Sequence, residues 1–125
     1  RIRGTNFHLH IDKHKVLQVF DNFIQNAIDA LEEKPNGVIG IFVKEGEEDL
    51  TITFLDNGCG IQTSNINKVL HPFFTTKSKG YGFGLPISYK IIENHGGNLT
   101  ILSREGYYTK IMMTLPKNPI KKEAI

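Results

Sequence analysis

From Asp12 onward the sequence runs DKHKVLQVFDNFIQNAIDALEEK. Its apolar residues recur at helical spacing: Val16, Phe20, Phe23, Ala27 and Leu31, with Leu17, Ile24 and Ile28 widening the stripe. A helix with one apolar side has to lay that side on something. Asp12 stands where it can cap the start, and the run continues to about Glu33 or Lys34, where Pro35 and Gly37 of KPNG stop it. Strand-like segments supply the cover. VIGIFVK and DLTITFLD, joined by the acidic turn EGEE, read as one β-hairpin, and NLTILS and YYTKIMMTLP read as a second across REG. Ahead of the helix, NFHLHID alternates Phe7, Leu9 and Ile11 with polar neighbours, which is a strand signal. NINKVL reads as a short helix. A further helix is expected from Leu85 to His95, with Pro86 in its first turn and Gly96 or Gly97 at its C′ position. The order β-α-β-β-(α)-α-β-β predicts an α+β fold: a two-layer α/β sandwich whose mixed, mostly antiparallel sheet is covered by helices on one face.

The 125 residues suit a single domain, with a core over about 6–116 and a tail over 117–125. A net charge of +2 with scattered lysines is too weak a signal for nucleic acid or an anionic membrane. The lone cysteine, Cys59, excludes an internal disulfide and fits a reducing compartment. No apolar run approaches the roughly 20 residues of a membrane span, and no signal peptide is visible. The chain opens RIRG without Met, which marks it as a fragment of something longer, so a functional partner is expected outside it.

Several polar features stand out against this frame. Asn22, Asn26 and Asp29 lie at i, i+4 and i+7, on one helix face opposite much of the apolar stripe. A solvated face is the plain reading. Asn is a poor mid-helix residue, however, and Glu or Lys would serve such a face better. Amide oxygens facing a hard cation such as Mg²⁺ are the sharper reading. In FLDNGCGI, Asp56 ends a strand and Gly58 and Gly60 follow. The plain reading is an Asp-Asn-Gly turn; the sharper one is a carboxylate accepting from an exocyclic amine, with glycines letting backbone approach a flat ring. HPFFTTKSKGYGFGL sets Phe73 and Phe74 as anchors beside the donors Thr75, Thr76, Lys77, Ser78 and Lys79, and reads either as a solvated loop or as a lid over phosphates. Its glycines, spaced G-x-G-x-G after a loop, miss the dinucleotide fingerprint and the P-loop, and no protein-kinase signature is present. A glycine hinge that feeds a helix N-terminus remains, and such an end offers N–H groups to an anion.

Taken in order, NFIQNAIDA, DNGCGI, HPFFTTK and GYGFGL resemble the N, G1, F and G2 boxes of the sensor histidine kinase catalytic domain, and GYYTKIMMTLP resembles its closing strand. The resemblance covers roughly Asn6 to Pro116. It extends to an ATP-binding fold shared with type II topoisomerase subunits, mismatch-repair MutL and a heat-shock chaperone, and the PFFTTK wording is nearest to nitrogen-regulation and sporulation-type kinases. It implies that ATP and Mg²⁺ are bound. Asn26 would ligate the metal with Asn22 near the phosphates. Asp56 would take the adenine amine in a pocket shaped by Gly58 and Gly60, and Thr109 would sit nearby. Phe73 and Phe74 would anchor the lid, and Lys77 would reach phosphate. Gly80, Gly82, Gly84 and Leu85 would form the hinge and the phosphate-facing helix start. Asp29, Ala30, Ile61, Thr76 and Phe83 complete the expected nucleotide-binding set. Two departures from the family pattern are Asp29, where a basic residue is common, and Phe83, where leucine is commoner.

Hydrolysing relatives carry a Glu general base four residues before the metal-binding Asn; here that position is Asn22, which has no useful basicity. The expected reaction is therefore phosphoryl transfer to a histidine imidazole, resting on metal, positioning and lid closure. The acceptor pattern, His followed by Glu or Asp, fits none of His8, His10, His14, His71 or His95. His8 and His10 share a strand face, where an ordinary polar face outweighs a metal pair. The expected partners are an upstream dimerisation and phosphoacceptor domain and, indirectly, a response regulator receiver domain, with no nucleic acid. The parent would be a homodimer, cytoplasmic or attached to the inner membrane, with this domain monomeric on the cytoplasmic side. The alternatives are a regulatory ATP-binding module that never transfers, and an ATPase of the topoisomerase or MutL type.

Overall fold

Asp12 caps the first helix as its sequence position predicts, Oδ1 accepting the Lys15 N–H at 3.2 Å. The computed structural model describes residues 11–65 and 84–117. The first helix, α1, spans Lys13–Ala30. It is followed by β1 (Ile39–Glu45), β2 (Asp49–Asp56), a 3₁₀ turn at Thr63–Asn65, α2 (Gly84–Asn94), β3 (Asn98–Arg104) and β4 (Tyr108–Pro116). The strand expected over Asn6–Ile11 lies outside the described residues except for Ile11, and the short helix expected from Asn65 lies outside them beyond Asn65 itself.

Helix α1 stops at Ala30, three or four residues earlier than its apolar period predicts. The Ala30 carbonyl is taken by the Cys59 N–H at 3.0 Å, and the chain continues in turns in which Glu32 and Lys34 donate to Asp29 and Leu31. A tertiary hydrogen bond thus ends the helix ahead of the Pro35 and Gly37 stop signals. Helix α2 ends as expected. Gly96, at φ +77°, takes the left-handed C′ position, its N–H reaching Glu93, while the Gly97 N–H reaches Ile92, which together make a Schellman cap. His95 then ties the two helices. Its Nδ1 lies 2.7 Å from the Ile91 carbonyl and must carry the proton, so Nε2 accepts the Asp12 N–H at 2.9 Å.

Within the described residues the sheet is wholly antiparallel, in the order β1-β2-β4-β3. Alternation along β2 and β4 turns Leu50, Ile52 and Phe54, and Ile111, Met113 and Leu115, toward the helices. They bury against Val19 and Phe23 of α1 and Ile91 and Ile92 of α2. Phe54 is the centre of this layer, meeting Phe20 and Phe23 edge to face with centroids 5.3 and 5.2 Å away. Both helices cover this one face, so the predicted α+β sandwich is the observed architecture.

Two details of α1 differ from the sequence reading. Leu17 and Ile28, assigned to the apolar stripe, are half exposed, because helical geometry puts them on the side of Asp21 and Gln25. The Asn22–Asn26–Asp29 stripe borders the core, on the side toward α2, and all three are half-buried. A fully solvated face is thereby excluded. At the other end of the sheet, Lys117, placed in the expected tail, is held by its N–H to Glu48 and its Nζ to Glu45.

Phe54→Ala should cost about 3–5 kcal/mol, since it empties the meeting point of α1 and the sheet. Urea unfolding measures this, and a loss below about 1 kcal/mol would show that the aromatic layer does not carry the core.

Candidate functional site

Inward-facing positions stay apolar along most of each strand and turn polar at one end of the sheet. Asp56 closes β2, Thr109 stands opposite it on β4, and Ser103 stands opposite Thr109 on β3. Asp56 and Thr109 are buried, at 6% and 7% exposure, so this is a polar row at the rim of an apolar layer. Such a row is costly unless hydrogen-bonded.

The hydrogen bonds are specific. Asp56 Oδ1 accepts the Gly58 N–H at 2.9 Å, which among the described residues is its one hydrogen bond, so the carboxylate has acceptor capacity to spare. Burial raises its pKa above the ordinary carboxylate value, against the opposing pull of the Gly58 N–H and the Lys34 ammonium. Ser103 Oγ donates to the Tyr108 carbonyl at 2.7 Å, accepts the Ile61 N–H at 2.7 Å and lies 3.1 Å from Thr109 Oγ1.

The loop after β2 is locked to its neighbours on both sides. Cys59 donates to Ala30 and accepts the Gly106 N–H at 2.6 Å. A Cβ on Gly58 would strike the Ala30 carbonyl, and one on Gly60, whose φ is +71°, would strike the Arg104 carbonyl. The sequence reading assigned these glycines to the approach of a flat ring. The structure shows a necessity for both within the fold itself, the close passage of the chain's own backbone at the end of α1 and at the β3–β4 turn. Asn57 completes the clamp, its Oδ1 accepting the Val38 N–H at 2.7 Å.

A second cluster lies further back along α1. Asn22 Nδ2 donates at 3.1 Å to Oγ of Ser88, a fully buried hydroxyl one turn into α2. This bond joins the polar stripe of α1 to the start of α2, which Gly84 opens and where Leu85 packs on the core. Asn26 lies one turn further along the stripe, and Gln25 Nε2 donates to Asp29 Oδ1 at 2.9 Å. Ala30 contributes its carbonyl and, like Ile61, is half-buried beside the loop.

The structure therefore brings Asp56, Gly58, Gly60, Ile61, Ala30 and Thr109 to one end of the sheet, and Asn22, Asn26, Gly84 and Leu85 to the α1–α2 seam. Phe73, Phe74, Thr76, Lys77, Gly80, Gly82 and Phe83 lie outside the described residues. Ser88, Ser103 and Lys34 were not singled out from sequence. The signal for both serines is a hydroxyl in the buried phase: Ser103 continues Leu99 and Ile101, and Ser88 precedes Ile91 and Ile92. A separate cavity of about 400 Å³ sits at the opposite end of the sheet among Glu47, Glu48, Asp49, Gly96 and Thr114. Its carboxylates make it a poor receptor for an anionic ligand.

The described residues form a two-layer sandwich with a buried aspartate at a strand end and an amide-bearing helix beside it. Residues 11–119 match the family described as histidine kinase-, DNA gyrase B- and HSP90-like ATPase, and the chain belongs to that ATP-binding family. It is 36% identical over 106 residues to sporulation kinase A of Bacillus subtilis, covering 85% of this chain and 17% of that protein. It is 34% identical over 112 residues to the sensor histidine kinase ZraS of Escherichia coli, covering 90% and 24%. Among solved structures, the nucleotide-free catalytic domain of histidine kinase ThkA superposes with a TM-score of 0.78 at 35% identity, covering 89% of this chain and 73% of that one. The chain thus spans less than a quarter of the length of these two curated relatives. No described helix is long and apolar enough to cross a membrane.

The raised pKa of Asp56 has a consequence for stability. Its neutral form is favoured in the fold, so its contribution is fully present below the unfolded-state pKa of about 3.9 and is lost as pH rises through the higher folded value. At neutral pH the ionised carboxylate subtracts from stability. Asp56→Asn keeps an acceptor oxygen for Gly58 and removes the charge. In the absence of nucleotide it should melt a few degrees higher at neutral pH, with the gap closing as pH falls toward about 4. Identical melting curves at neutral pH would contradict this.

Proposed function

We propose that this domain binds Mg²⁺-ATP and presents its γ-phosphoryl group to a histidine on a separate domain, acting as the catalytic domain of a two-component sensor kinase. The observation that carries the reading is the placement of Asp56. It is a buried carboxylate with spare acceptor capacity, faced by Thr109 and joined through Gly58 and Cys59 to the end of α1. An exocyclic amine suits such a group. Asn22 lies eight residues back from Ala30, about 12 Å along the helix, comparable to the reach from an adenine amine to a terminal phosphate.

The fit to a metal is chemical. Asn26 offers a neutral, hard amide oxygen from a half-buried helix face, one turn from an Asn22 amide held by Ser88. A hard divalent ion there would neutralise charge on the phosphates. Asn22 cannot remove a proton from water, which favours transfer over hydrolysis. Asn22 and Ser88 hold the start of α2 against α1, and the first amides of α2 are suited to a phosphate. Gly82 and Gly80, with Phe73, Phe74, Thr76, Lys77 and Phe83, would supply the lid. Both ring nitrogens of His95 are engaged, Nδ1 with the Ile91 carbonyl and Nε2 with the Asp12 N–H, which supports an acceptor histidine on a separate domain.

The relatives named sporulation kinase A and sensor histidine kinase ZraS support the kinase assignment, and their greater length leaves room for a dimerisation and phosphoacceptor domain. A receiver domain would take the phosphoryl group in turn. Supplied with γ-labelled ATP and a separate histidine-bearing acceptor hairpin, the domain should label the hairpin and release little phosphate alone. Steady phosphate release without the hairpin would overturn the transfer reading in favour of an ATPase, and binding without labelling would assign a regulatory module. Asn26→Ala should lower Mg²⁺-dependent ATP affinity by at least about tenfold in calorimetry with the melting temperature little changed. Unchanged affinity would refute the metal role.

A further inference from the structure

Ser103 is absent from the nucleotide-binding set proposed above, yet it is the hub of the polar row, and its hydrogen bonds can be assigned proton by proton. A serine hydroxyl has one proton to donate and two lone pairs to accept with. The Tyr108 carbonyl, 2.7 Å away, can only accept, so the Ser103 proton goes there. The Ile61 amide, also 2.7 Å away, can only donate, so it occupies one lone pair. The remaining contact, 3.1 Å to Thr109 Oγ1, has to be a donation from Thr109 to Ser103, because Ser103 has no proton left.

This fixes the neighbour. The Thr109 proton is turned toward β3, away from Asp56, which stands on the other flank of Thr109. Thr109 then offers only lone pairs on the Asp56 side. Ionised Asp56 likewise offers only acceptors. The two residues form a wall without a donor, and both are buried enough that a mismatched group loses its water without replacement.

We infer that Ser103 is a positioning residue for base selection: by holding the Thr109 hydroxyl as a donor toward itself, it makes the Asp56–Thr109 wall acceptor-only, so that a purine bearing an exocyclic amine is taken and one bearing a carbonyl at that place is turned away. The inference rests on the nucleotide reading above. It extends that reading from Asp56 to a residue on a different strand that acts through Thr109. Ser103 has a second output, since its bond to Ile61 pins the loop after β2 to β3 and links the loop's position to the same hydroxyl.

The test compares ATP with inosine triphosphate, which carries a carbonyl in place of the amine, in calorimetric titrations of the 125-residue chain. Ser103→Ala releases the Thr109 hydroxyl, which can then turn and donate to a carbonyl. The ratio of ATP to inosine triphosphate affinity should fall about tenfold, the scale of one buried hydrogen bond. Ser103→Thr keeps the hydroxyl and should restore the ratio. Ser103→Cys keeps the volume with a weaker acceptor and should lower the ratio even if Ser103→Ala does not fold. Equal losses of affinity for both nucleotides in these variants, with the ratio unchanged, would overturn the inference and leave Ser103 a structural pin. A wild-type chain that binds both nucleotides equally would overturn the amine-accepting role of Asp56, and the role of Ser103 with it, whereas a chain that binds neither would overturn the nucleotide reading itself. A wild-type preference that survives only in Ser103 and Ser103→Thr chains supports both.

Discussion

The hydrogen bond from the Cys59 N–H to the Ala30 carbonyl decides where the rest of the site can be. It ends α1 on the loop that follows β2, so helix and sheet share a corner rather than only a face. Gly58 and Gly60 follow from that closeness, because no side chain fits between the loop and the carbonyls of Ala30 and Arg104. With the loop pinned there, Asp56 is held inward at the strand end, where the apolar layer has just stopped. Its carboxylate is buried by architecture.

That burial is unfavourable for the empty domain and useful for a ligand. An acceptor held out of water, with one backbone N–H to satisfy it among the described residues, gains more from an incoming amine than an exposed carboxylate would. The same logic runs through the Asn22–Ser88 pair, in which a buried hydroxyl takes an amide proton and sets how α1 meets α2. In both places a polar residue occupies a position that packing alone would give to an apolar one, which is where local rules are expected to yield to function.

Much of the fold was legible from periodicity and punctuation. The cap at Asp12, both hairpins, Pro86 in the first turn of α2 and the glycine end of that helix all have local causes, and each was found. What was not legible depends on distant partners. The end of α1 is set by Cys59, twenty-nine residues away from Ala30, so an apolar period that runs on to Leu31 overshoots. Leu17 and Ile28 were counted as core because they are apolar, although their phase belongs with Asp21 and Gln25. The order of the boxes singles out Asp56, Asn22 and Asn26 as candidates, and the closing strand adds Thr109; the structure sets Asp56 beside Thr109 at one end of the sheet and Asn22 at the α1–α2 seam. Ser103 and Ser88 escaped because a serine in a strand or helix is unremarkable until its neighbours are known. Their buried phase was the available clue.

The central claim is that nucleotide binds where Asp56, Thr109 and the polar stripe of α1 converge. Amide chemical shifts of the ¹⁵N-labelled chain, followed as Mg²⁺-ATP is added, test it most directly. The account predicts that the largest changes fall on Asn57 to Ile61, on Thr109, and on the Asn22–Asp29 stretch of α1. Changes centred on Glu47 to Asp49 and Gly96 to Asn98, at the opposite end of the sheet, would contradict it.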